Sequence, residues 1–281
     1  MSDRTTESVG NEQNLYRQVD AGMPSFYDQD LGPVFFVDFA DDIARRVVAA
    51  DPLRVLEIAA GTGIVTRRLR DLLPAGSQLT ATDLNPQMLD IARPKFRPDE
   101  TVRFQPADAT ALQFPAASFD TVVCQFGIMF FPDKEKSYQE IHRVLATDGQ
   151  CIFSVWDSHD YNPIGRVLTD LAAGFFPADP PRFFEAPYAY HRIDPIKDAL
   201  SGAGFSDLRI SVLSLEKTIP DIAAYARALI YGSPMIDQIR ARGGVSPERV
   251  VEAIAAALPR EFGANPTRMP LQAIVFEARK K

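Results

Sequence analysis

Histidine and cysteine are scarce, three and two in 281 residues. They are scattered without the spacing of a zinc site, so no metal is expected. Cys124 and Cys151 have apolar neighbours and read as buried free thiols rather than as a disulfide or a nucleophile. Long apolar runs are missing too. None approaches the roughly 18 residues of a membrane span, and the N-terminus, rich in Ser, Thr, Glu and Asn, lacks the basic-then-apolar order of a signal peptide. A cytoplasmic chain is the expectation. Positive charge is in deficit, 30 Lys and Arg against 37 Asp and Glu for a net −7. That balance argues against a nucleic acid as partner. The one tight basic cluster, Arg67, Arg68 and Arg70, is spaced for the solvated outer face of a helix. The rest, 46% hydrophobic and 24% charged, is material for one core with an appendage.

The most informative stretch present is Val55–Gly63, VLEIAAGTG. Arg54–Ile58 is a short apolar run of strand type, closed by small residues. Gly61-Thr62-Gly63 makes a turn in which a ligand can lie against bare backbone. Ile64, Val65, Leu69, Leu72 and Leu73 then recur on one face of a helix. Strand, glycine loop and helix form the first unit of a nucleotide-binding α/β sheet. The next strand, Gln78–Asp83, ends in an acid that can take both hydroxyls of a ribose. A dinucleotide site wants Gly or Ala where this chain has Thr66, because a pyrophosphate needs the helix close and bare. The loop, with Glu57 at the strand end, suits a ligand without phosphates, such as S-adenosylmethionine (SAM). Singly, Glu57 reads equally as a solvated strand end, Asp83 as a cap before Pro86, and Asp108 as a turn starter. Three acids at three successive strand ends are harder to explain as caps, since such sheets bind ligands at their carboxyl edge.

Four ordered blocks, VLEIAAGTGIVTRRL, ATDLNPQML, QPADATALQFPAASFDTVVCQFGIMFF and KSYQEIHRVLATDGQCIFSVW, resemble the class I SAM-dependent methyltransferases. The likeness runs from about Arg54 to Trp156 and is greatest to the branch of ubiquinone/menaquinone-biosynthesis C-methyltransferases and many small-molecule methyltransferases. It implies a Rossmann-like α/β fold: a seven-stranded, mostly parallel sheet of order 3-2-1-4-5-7-6 with its last strand antiparallel and helices on both faces. It also implies site roles. Glu57 would hold the methionine ammonium, with Ala59, Gly61 and Gly63 supplying backbone around the methionine and Thr66 nearby. Asp83 would take the ribose, with Leu84 and Met88 against the adenine or ribose. Asp108 would accept from the adenine amino group, with the Ala109 amide on a ring nitrogen, and Gln125 would meet the methionine end. Many relatives have Cys or Gly at Ala60, where Ala is small enough to serve. Some catechol-type relatives carry a Mg²⁺-binding Asp where this chain has Gln125, so no metal is implied. The product would be S-adenosylhomocysteine, the partner a small molecule, and a homodimer stays open.

Along the chain, residues 1–14 read as a disordered tail and 15–281 as one methyltransferase domain. The segment Leu15–Gln29, with Tyr16, Phe26 and Tyr27, would fold over the cofactor, and Pro33–Ala50 reads as a helix. The core covers 31–157, insertions at about 158–192 and 218–268 form a helical lid, and a last strand covers 271–279. Within the insertions, helices are expected over Asp221–Tyr231 and Val245–Pro259, while His159–Tyr190 is dense in Pro and aromatics without an assigned element. Those aromatics suggest an apolar, enclosed acceptor pocket, or simply packing of the lid. His159 and His191 are candidate bases, since imidazole titrates in the useful range, although loop histidines are more often surface or capping residues. Tyr27 is the other residue able to face the methionine or the acceptor. An NAD-dependent oxidoreductase is disfavoured by Thr66 and Asp108-Ala109. A SAM-fold cyclase or decarboxylase, or a non-catalytic SAM-binding subunit, is the alternative.

Overall fold

The computed structural model describes residues 22–281; the expected tail and Tyr16 lie outside them. Its centre is a seven-stranded sheet of order β3-β2-β1-β4-β5-β7-β6. The strands are β1 (Arg54–Ile58), β2 (Gln78–Asp83), β3 (Val102–Pro106), β4 (Phe119–Gln125), β5 (Leu145–Trp156), β6 (Phe205–Thr218) and β7 (Arg268–Lys280). The first five run parallel, and β7 lies antiparallel between β5 and β6. The order is the one expected.

Burial on both faces explains the strand compositions. Val55, Leu56 and Ile58 of β1 are buried, as are Val122, Val123 and Cys124 of β4, so these strands are apolar without alternation. One face packs against Ile43, Val47, Val65 and Leu69, from the helices Val37–Val48 and Ile64–Leu72. The other joins a larger core that reaches from Phe153 and Phe276 out to Leu168, Leu229, Val250 and Ile254. The inserted helices therefore share the core of the sheet. Local signals start helices in both the core and the insertions: Asn85 accepts from Gln87 N–H, Asp133 from Lys136 N–H, and Asp221 from Ala224 N–H, each at a helix N-terminus. Among the described residues, no helix is long and apolar enough to cross a membrane.

Four features differ from the sequence expectations. Among the described residues, helical structure begins at Met23, and Tyr27–Phe36 runs as a π-helix into Val37–Val48. Pro33 lacks a donor and crowds the carbonyl a turn back, and the wider i→i+5 register passes it. Asp148, at φ 62°, turns within a bulge of β5: Leu145 already pairs with Phe119 before Gln150 meets Thr121. Two helices, Pro163–Phe175 and Met235–Arg242, occupy stretches given no element from the sequence, the first of them inside the segment dense in Pro and aromatics. Arg70 is not solvated. It is buried, and its guanidinium donates to the carbonyls of Leu73, Pro74 and Ser77, tying off the turn after its own helix. Its neighbours are outward but paired, Arg67 with Glu100 and Asp71, Arg68 with Asp41.

Candidate active site

The parallel register aligns the carboxyl ends of β1, β2 and β4, and a cavity of about 220 Å³ opens above them. Asp83 is its most constrained acid. One carboxylate oxygen accepts the Gly61 N–H at 2.8 Å and the other the Asn85 N–H at 2.9 Å. Each oxygen keeps a lone pair for a diol. Burial raises the Asp83 pKa, opposed by these amides.

Glu57 sits behind the loop, only 2% exposed. Its Oε2 has no hydrogen bond among the described residues. Burial pushes its carboxyl up to about 8, with Thr66 opposing and the charge of Asp83 adding to the rise. A cation arriving near Glu57 would find an acid waiting to ionise.

The loop between these acids is shaped by backbone demands. Gly61 has φ 55° and open space where a side chain would stand, on the cavity wall. Gly63 has φ 82°, and a Cβ there would come within 2.8 Å of the Ala92 Cβ. Gly63, Thr66 and Glu57 thus back the loop, while Ala59 and Gly61 face the cavity. Ala59 also takes a left-handed conformation, φ 53°, as does Phe126 at φ 54°. These strained ends of β1 and β4 meet through Gly127, where a Cβ would lie 2.5 Å from that of Ala59.

The remaining expected residues gather around the same cavity. Leu84, Met88, Asp108, Ala109, Gln125 and Tyr27 all line it. Asp108 partly fulfils its turn reading, since one oxygen accepts both the Thr110 amide and hydroxyl, at 2.8 and 2.7 Å. Gln125 donates from Nε2 to the Phe36 carbonyl at 3.1 Å, and its buried Oε1 has no hydrogen-bond partner among the described residues. Tyr27 stacks on Phe36, ring centroids 4.8 Å apart. Its hydroxyl stays neutral, because burial and the charges of Asp83 and Asp28 raise its pKa.

Sequence reasoning pointed to an apolar pocket among the aromatics of residues 159–190, and missed Phe35, Phe126, Phe130 and Trp156. A second cavity of about 90 Å³ adjoins, and Tyr27, Phe126 and Phe130 line both. Its remaining wall is apolar and aromatic, including Phe35, Trp156, Phe184 and Tyr188. Phe126 lies flat on Trp156 at 3.9 Å. For Phe126 and Phe130 the signal available was the aromatic run FGIMFF just past β4.

Neither His159 nor His191 lines either cavity. Both pack behind Tyr188: His191 Nδ1 meets the Tyr188 carbonyl at 2.7 Å, and the His159 ring lies 4.8 Å from the Tyr188 ring. Cys124 and Cys151 are buried free thiols, and burial raises both, Cys124 to about 12. Among the described residues no cluster of His, Cys, Asp and Glu could hold a metal.

Comparison with known proteins gives this geometry a family. A methyltransferase domain model matches residues 56–153. The demethylmenaquinone methyltransferase of Thermus thermophilus is 33% identical over 189 residues, covering 60% of this chain and 84% of that protein. Among solved structures, a phosphoethanolamine N-methyltransferase of Haemonchus contortus with S-adenosylhomocysteine aligns with a TM-score of 0.60. It is 17% identical, and the alignment covers 96% of this chain and 60% of that one. The [4+2]-cyclase SpnF aligns at 0.53, 18% identical, covering 86% and 80%. Such structural likeness speaks to the fold alone, which evidently carries more than one chemistry. The chain belongs to the class I SAM-dependent methyltransferases. It acts with SAM on a small molecule.

Proposed function

We propose that the larger cavity holds SAM and the smaller one the methyl acceptor, with the transfer occurring between Tyr27, Phe126 and Phe130. The observation that carries this reading is the sharing of those three walls by a cavity that holds the strand-end residues Asp83, Asp108 and Gln125 and one lined almost wholly by apolar and aromatic side chains. Bound there, SAM supplies a methyl carbon on a sulfonium, already an excellent leaving group.

The residues fit that cofactor chemically. Glu57 would neutralise the ammonium, giving its unpaired Oε2 a partner, and the buried Oε1 of Gln125 would accept from the same end. Asp83, locked by two amides, would take the ribose diol. Ala59, Gly61 and Gly63 would supply bare backbone, with Thr66 beside Glu57. Leu84 and Met88 would flank the nucleoside. The second oxygen of Asp108 would accept from the adenine amino group, beside the Ala109 amide.

On the acceptor side, the wall carries no carboxylate, imidazole or amine among the described residues. The protein's contribution there is placement and exclusion of water, which suits a reaction whose leaving group needs no help. The wall's side chains would hold a nucleophilic atom of the acceptor in line with the bound cofactor, which would supply the methyl group and leave as S-adenosylhomocysteine. An apolar ring is the class such a wall accepts. The quinone precursor named for the Thermus thermophilus relative is of that class and supports the reading.

Calorimetric titration tests the assignment. Micromolar binding of SAM and S-adenosylhomocysteine, with none of NAD, is the expected result. Methyl transfer to a demethylated quinol would then separate this reading from a SAM-binding protein with other chemistry. Cofactor binding without transfer to any ring acceptor would count for the latter.

A further inference from the structure

Tyr188 is held on every side. Its carbonyl meets His191 Nδ1 at 2.7 Å. Its ring lies against His159, at 4.8 Å, and near Trp156, at 6.5 Å. Gly165 makes room for it, since a Cβ there would fall 2.4 Å from Tyr188 Cε2. The side chain is 93% buried by these neighbours, at 7% relative exposure. Yet the hydroxyl of this clamped ring, on a residue that lines the smaller cavity, meets no hydrogen-bonding group among the described residues. Burial alone raises its pKa, so it remains a neutral donor and acceptor.

The cavity it lines offers few other polar side chains. The Ser233 hydroxyl is spent on the Leu229 carbonyl and the Met235 amide. Tyr27 stands at the shared wall, where the charges of Asp83 and Asp28 act on it. A buried hydroxyl without a partner is costly unless a ligand supplies one. Rigid placement of that hydroxyl in an otherwise apolar cavity is how a site reads one oxygen on a hydrophobic ligand.

We propose that Tyr188 is a specificity-determining residue of the acceptor site, its hydroxyl hydrogen-bonding an oxygen substituent on a ring-shaped acceptor. This rests on reading the smaller cavity as the acceptor site. It gives the two histidines an indirect place in the enzyme: they fix the tyrosine that touches the acceptor. The selection is against bare hydrocarbon rings, which leave the hydroxyl unpaired, and in favour of rings bearing a hydroxyl or oxo group.

Trp156 is the sole tryptophan of the chain and lines the cavity, so its fluorescence reports occupancy directly. The probes are p-cresol and p-xylene, which differ by a hydroxyl for a methyl, titrated into the full chain saturated with S-adenosylhomocysteine. The quantity read is the Kd of p-xylene divided by that of p-cresol. Tyr188→Phe is expected to lower this ratio by roughly tenfold while the affinity for S-adenosylhomocysteine stays within twofold. Tyr27→Phe should leave the ratio within about twofold of the wild type. A ratio unchanged in Tyr188→Phe, or one that collapses in Tyr27→Phe instead, overturns the assignment to Tyr188 while leaving the acceptor cavity standing. If neither ring perturbs Trp156, the acceptor reading of the cavity fails, and the role of Tyr188 with it.

Discussion

The two cavities are built by opposite means. Around the larger one, side chains are fixed by backbone: Asp83 by the amides of Gly61 and Asn85, Asp108 by Thr110, Gln125 by the Phe36 carbonyl. Around the smaller one, positions are fixed by packing, Phe126 on Trp156 and Tyr188 between His159 and Gly165. On the proposed assignment, a polar cofactor would be met by hydrogen-bonding groups at the ends of strands, where the sheet holds them rigid. An apolar acceptor would be met by shape, from aromatic side chains that the Tyr27–Phe36 segment, the ends of β4 and β5 and the later helices bring together.

This contrast should break first at Asp83. Asp83→Ala removes both diol contacts and releases two amides, and is expected to weaken S-adenosylhomocysteine binding about a hundredfold, measured by calorimetry on a variant that remains folded. The response of Trp156 to p-cresol should survive. A loss below about threefold would remove the ribose role.

Glycines separate the halves by stability. Gly63→Ala places a methyl 2.8 Å from Ala92 at a left-handed φ, and should cost about 2 kcal/mol in thermal or denaturant unfolding. Gly174, inside the lid helix Pro163–Phe175, has nothing within 4 Å of a built Cβ. Gly174→Ala should therefore gain about 0.5 kcal/mol, the opposite sign. Equal and unfavourable effects at both positions would contradict the distinction between a backbone-determined and a packing-determined half.

Glu57 supplies a pH dependence confined to the cofactor half. In the free protein it titrates near 8 against an ordinary 4.5. Folding thus favours the protonated acid, a contribution fully present below about 4.5 and lost as pH rises through about 8. Glu57→Gln cannot ionise, so its melting temperature should gain on the wild type between pH 5 and pH 8, by roughly 3 °C. A constant gap across that window would mean that Glu57 is already ionised.

The legible part of the sequence was the backbone-determined part. Gly61 and Gly63 are demanded by local dihedral angles, and the acids by their position at strand ends, so spacing along the chain reveals them. Family resemblance then supplied the sheet order. The smaller cavity was only half legible: the aromatics of residues 159–190 suggested an apolar pocket, but Tyr27, Phe126, Trp156 and Tyr188 come from four distant segments, and aromatics in a Pro-rich stretch look alike whether they pack or bind. The helix Pro163–Phe175 was hidden for the same reason, although Ile164, Leu168 and Ala172 do recur at helical spacing and are buried. His159 and His191 drew attention as titratable groups near the sheet edge. Only packing reveals that they stand behind Tyr188. Arg70 likewise looked solvated on helical spacing, and the carbonyls of the following turn draw it inward.

A crystal structure of the complex with S-adenosylhomocysteine tests the division most directly. The ribose should sit on Asp83, the adenine beside Asp108 and Ala109, and the sulfur should face the wall of Tyr27, Phe126 and Phe130 toward the apolar cavity. A nucleoside bound there with its sulfur directed away from that wall, or bound outside the larger cavity, would contradict the assignment of the two cavities.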